Sequence, residues 1–182
     1  MRSTIWWTRY FISASALGMV LLSIGHLRGM STTVHALVGL LLVVLPMIFG
    51  MGYLLLPSFA GTTLATPRLP DVHLLLAYLG GGLVVGETAL AGGGMVRSVG
   101  AALWISGVVL FLGSLLYTML PAAREDPLVL VRGTSTPKRS TMAATTALPV
   151  GLAYLLVGSL ALVVAAVPTA TSGIRLQMVV HL

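Results

Sequence analysis

Four ionisable side chains sit inside or at the edge of long apolar runs: His26, His35, His73 and Glu87. A charged or titratable group at membrane depth is costly, so each is a candidate functional position. An imidazole there can ligate a metal, or it can be an interfacial side chain wetted by headgroups. Both readings apply to His35, about one turn inside its run, and to His26 at the end of the run before it. His73 opens a later run. Glu87 lies near the close of that run, before Gly92, Gly93 and Gly94, where it could face Arg97 as an interfacial carboxylate. The chain has no cysteine. Disulfides, iron–sulfur clusters, thiolate zinc sites and covalently attached c-type haem are therefore excluded. There is no pair of carboxylates within a run, no HExxH and no phosphate-binding glycine loop opening a helix. The nine methionines are dispersed and read as core or lipid-facing fillers rather than copper ligands.

The elements that must position these residues follow from composition. Of 182 residues, 57% are hydrophobic and 8% charged, with a mean hydropathy of +1.03. Soluble domains carry about a quarter charged residues, so a water-soluble enzyme is excluded. About 20 apolar residues span the hydrocarbon core as a helix, and five runs qualify: 10–27, 34–57, 72–90, 99–120 and 148–167. Trp6, Trp7 and Tyr10 front the first run as an interfacial belt. No small-residue cleavage site follows it, so it reads as a retained helix rather than a signal peptide. Pro46 removes one backbone hydrogen bond in the second and should kink it. Gly82 and Gly86 in the third are spaced for close helix–helix approach. Pro121 and Pro168 read as stops for the fourth and fifth, and 122–146 as a solvated polar loop.

Ten basic residues against four acidic ones give +6. They are scattered over loops, which is a topology signal and not a nucleic-acid surface. Arg2, Arg9, Arg68, Arg124, Arg132, Lys138 and Arg139 fall on one side, and Arg28, Arg97 and Arg175 on the other. The positive-inside rule then places the N-terminus in the cytoplasm and the C-terminus outside. The expectation is all-α: a single-domain polytopic helix bundle over 1–182, embedded in a lipid bilayer, with five transmembrane helices. A prokaryotic cell membrane is the expected location.

One stretch carries a family resemblance. His35-Ala36, Pro46, Gly50-Met51-Gly52, Pro57, Gly61 and Pro67-Arg68-Leu69 follow one another. That order resembles the second helix of subunit I of the haem–copper oxidases. There the helix opens on a histidine, passes a proline, reaches a Gly-Phe-Gly-Asn segment and closes in a Pro-Arg loop. More weakly, Gly18 and Arg28 resemble the family's first helix, Glu87 with Ala91-Gly92-Gly93-Gly94 the end of its third, and Ser98 to Met119 its fourth. Coverage is roughly residues 10–120. Tyr53 stands where the family has asparagine. The copper-binding histidine segments and the later helix that serves both haems have no counterpart.

The resemblance implies a low-spin haem, b-type and non-covalent, with His35 as its iron ligand and no copper. It also implies an electron-transfer role without oxygen reduction by this chain alone. Arg28 and Arg97 would meet the propionates from the same side. The second axial ligand could come from His35 of a second copy in a homodimer, from His26 or His181 of the same chain, or from another respiratory-chain subunit. Two alternatives stand beside it: a cofactor-free structural or assembly subunit, and the N-terminal half of a split oxidase subunit.

Overall fold

The computed structural model describes residues 4–59, 61–90, 94–125, 153–155, 157–159 and 161. These residues are helical apart from short connections, in the order α1 (Thr4–Leu27), α2 (Thr32–Leu37), a π-helix (Val38–Val44), α3 (Leu45–Phe59), α4 (Leu69–Ala89) and α5 (Met95–Glu125). The π-helix joins α2 to α3 without a break. Four helical stretches are long and apolar enough to cross a membrane: Thr8–Leu27, Thr32–Ser58, Leu69–Ala89 and Met95–Ala122. Leu17, Val20, Ile24, Leu75, Leu79, Val109 and Leu116 are exposed on their outer faces. That is the pattern of helices solvated by lipid, where water-driven sorting of apolar side chains is absent.

Runs one to three of the sequence match these helices within a few residues. The fourth differs at its end. Pro121 lies inside α5, which continues to Glu125, so proline does not stop this helix and the first residues of the expected polar loop are helical. Of run 148–167, the described residues 153–155, 157–159 and 161 are helical. Ser159 among them is buried and accepts a hydrogen bond from Trp104 Nε1 at 3.3 Å, which docks this segment on α5. The rest of that run and of 126–146, and the tail with Arg175 and His181, lie outside the described residues.

Pro46 organises the second span. It has no N–H, so it cannot bond to the preceding turn. The ladder ahead of it widens to π register, with Leu45 N–H donating to Leu40 O. Widened turns of this kind are short and leave carbonyls that need other donors. Both donors come from neighbouring helices. Tyr78 Oη on α4 donates to Leu42 O at 2.9 Å, and Ser15 Oγ on α1 donates to Val43 O at 2.9 Å.

Glycines let the backbones come close enough for this. A Cβ on Gly18 of α1 would lie 2.2 Å from Leu42 O, and one on Gly50 of α3 would lie 2.6 Å from the Phe11 Cβ. Gly80 on α4 meets the α5 backbone at Gly100 and Trp104 in the same way. The close approach expected of Gly82 and Gly86 therefore falls on Gly80; nothing lies within 4 Å of a Cβ at either of the other two. The reason is rotational: Gly80, Gly81, Val84 and Ala77 share the buried face of α4, while Gly82 is exposed.

Removing either hydroxyl should leave a carbonyl unsatisfied in an environment without water. Tyr78→Phe and Ser15→Ala are each expected to lower stability by about 0.5–1.5 kcal/mol, read as the midpoint of unfolding in mixed detergent. Gly18→Val should do far more, because the clash is with backbone, and the folded yield should collapse.

Candidate functional site

The described histidines occupy two environments. His26 ends α1 and His35 lies in α2, and a tight turn brings them together. Met30 N–H donates to Gly25 O at 3.0 Å and Gly29 N–H to His26 O at 3.1 Å. Gly29 holds the left-handed conformation, φ 70°, that an L side chain resists. Ser31 then caps α2, accepting from Val34 N–H at 3.4 Å. The result sets the two imidazoles edge to face, with ring centroids 5.5 Å apart and planes at 82°. His26 is exposed and His35 half-buried. They line one open pocket of about 380 Å³ with Leu22, Ser23 and Leu27.

Short connections make successive spans antiparallel, so the turn at 28–31 and the passage from α4 to α5 lie at the same end of the bundle. Arg28 is exposed in the first and Arg97 half-buried just after the second. Glu87 is also at this end, near the close of α4. It is buried, and one of its oxygens accepts the N–H of Gly94. Its Oε2 and the Arg97 Nε are both buried without a hydrogen-bond partner. Among the described residues, no three His, Cys, Asp or Glu side chains converge as a metal-ligand cluster. The histidine pair is the densest grouping of ligating atoms that the described residues offer.

His73 opens α4, as it opens the third run of the sequence, and is fully buried. Four rings surround it: Phe49 at 4.4 Å between centroids, Phe111 at 5.4 Å, Phe11 at 5.5 Å and Tyr53 at 5.7 Å. Tyr53 Oη and His73 Nδ1 are 3.2 Å apart. His73 Nε2 has no hydrogen-bond partner, while the Phe49 ring stands at 67° to the imidazole, an arrangement suited to a weak N–H···π contact. On the remaining side a Cβ at Gly107 would come within 3.2 Å of His73 Cδ2. The cage is closed and has no room for a ligand, so His73 is a packing residue that ties α4 to α3. The available signal was the pair itself: Tyr53 and His73 lie at matching depths on the two sides of a short connection.

No protein-family model, curated protein or solved structure matches the chain.

A double-mutant cycle tests the buried pair. Tyr53→Phe should cost about 1–3 kcal/mol by leaving the imidazole nitrogen unsatisfied, whereas adding His73→Leu to it should recover part of that loss. Additive losses in detergent unfolding would mean the two side chains do not interact.

Proposed function

We propose that the chain is an integral membrane protein of five spans, N-terminus cytoplasmic, that binds a transition metal at the end carrying His26 and His35. An electron-transfer role is the one that the resemblance to the oxidase subunit suggests. The observation that carries the metal reading is the meeting of two imidazoles from different helices at an open pocket. The two rings meet each other at the rim, in contrast to His73, whose Tyr53 contact and surrounding rings account for its place. Imidazole is a ligand for zinc, copper, nickel and iron.

A haem held between these two rings does not fit. Axial histidines must face each other end-on across the iron, with the macrocycle filling the gap. Here the rings are in edge-to-face contact, and α1 and the second span pack backbone against side chain from Gly18 to the turn at Gly25 and Met30. No slot for a plate opens between them. Haem ligation by His35 would therefore take its other ligand from a residue other than His26: His181 of the same chain, another subunit, or His35 of a second copy as the symmetric solution. Arg28 and Arg97 would then be the cations available to its propionates.

The visible spectrum and metal content of the full chain, purified in detergent from haem-replete cells, test this reading. Bound or stoichiometrically loadable metal that His35→Ala abolishes and His73→Phe leaves intact is the expected result. A colourless protein that binds no metal would overturn it in favour of the structural-subunit alternative. For topology, a reporter fused at Leu182 should be active only outside the cytoplasm.

A further inference from the structure

We infer that His26 and His35 chelate a single divalent transition-metal ion directly, without a porphyrin. The inference rests on the metal-binding reading above and specifies its ligand. Geometry is the first argument. Imidazole nitrogens bind Zn²⁺ at about 2.0–2.1 Å, which places the centroids of two rings on one tetrahedral ion roughly 5 Å apart. The observed separation is 5.5 Å. The centroid separation is therefore of the size that two imidazoles sharing one ion would have.

The second argument is the surroundings. The pocket of about 380 Å³ opens beside the rings and is large enough for an ion with its waters. Ser23 lines it, and its Oγ already donates to Met19 O at 2.9 Å, which leaves the oxygen lone pairs free to accept or to ligate. Leu22 and Leu27 form an apolar wall on one side. Among the described residues no carboxylate lines the pocket, and the chain has no cysteine. Two neutral imidazoles select borderline transition ions such as Cu²⁺ and Zn²⁺ over Mg²⁺ and Ca²⁺, which prefer oxygen. The same count, two protein ligands and open positions, makes the ion exchangeable rather than structural.

The turn explains why two ligands suffice to define a site. Gly29 and the Met30 to Gly25 bond fix the ends of α1 and α2 against each other. Neither histidine has to be recruited from a distant segment, so little ordering is required on binding.

The experiment uses the full, untagged chain in detergent, titrated with Cu²⁺ alone and read by electron paramagnetic resonance. One Cu²⁺ per chain with hyperfine structure from two imidazole nitrogens is expected. His26→Ala and His35→Ala should each reduce the signature to one nitrogen and weaken binding by at least about tenfold, while His73→Phe leaves both unchanged. His26→Gln provides a second variant, and His26 is exposed, so folding should survive either change. Purified protein that carries haem, and keeps it in His26→Ala, would overturn the bare-ion inference while leaving the metal-binding reading intact. A chain that takes up neither haem nor Cu²⁺ would overturn both. Copper bound without two-nitrogen coupling, or unaffected by either histidine variant, would also defeat the inference.

Discussion

Two carbonyl oxygens near the middle of the second span hold the arrangement of the other helices. Pro46 leaves the backbone ahead of it one donor short, and a lipid interior offers no water to supply the missing bond. The chain answers with hydroxyls from both sides, Tyr78 of α4 on Leu42 O and Ser15 of α1 on Val43 O. These contacts fix the rotation of α1 and α4 about their axes as well as their distance from the second span. Once Ser15 faces inward, Gly18 and Phe11 on the same face must face inward too. Gly18 then accepts the bulge of the π turn, which any larger side chain would push away.

The inward faces chosen in this way build the aromatic core. Phe11 from α1, Phe49 and Tyr53 from α3 and Phe111 from α5 close around His73 of α4. Apolar packing between membrane helices has no hydrophobic driving force of its own, so shape and a few polar contacts decide which faces meet. A buried imidazole is costly unless partnered. Here its Tyr53 bond and its ring contacts make it specific: a different rotation of α4 would leave His73 in hydrocarbon with nothing to bond. Hydroxyls reinforce the connection nearby, where Thr66 Oγ1 and Ser114 Oγ lie 2.8 Å apart and Ala65 N–H donates to Thr118 Oγ1 at 3.2 Å.

The opposite end is built differently. There the chain turns within four residues, and the contacts that matter are local: a left-handed glycine, a serine cap and one backbone bond across the turn. Tight turning is what brings His26 to His35. Neither imidazole is enclosed as His73 is: His26 is exposed and His35 half-buried.

Apolar length, proline and charge content determined from the sequence alone that the chain forms helices long and apolar enough to cross a membrane, and set the bounds of the first three to within a few residues. They did so because hydrocarbon thickness imposes a minimum run and excludes open backbone. The lost backbone bond at Pro46 was equally legible, since a missing N–H is a property of the residue and not of its surroundings. How the helix accommodates it was decided by tertiary contacts: a π segment forms there, and Tyr78 and Ser15 reach its carbonyls. Pro121 shows the converse, a proline that read as a stop and lies within a continuing helix. Which glycines touch a neighbour was not legible either, because GxxxG spacing marks Gly82 and Gly86 while the rotation of α4 presents Gly80. For the histidines, spacing located His26 and His35 on the same side, but could not say that a turn would set them ring against ring. Nor could it bury His73, whose depth depends on four aromatic side chains drawn from three other helices.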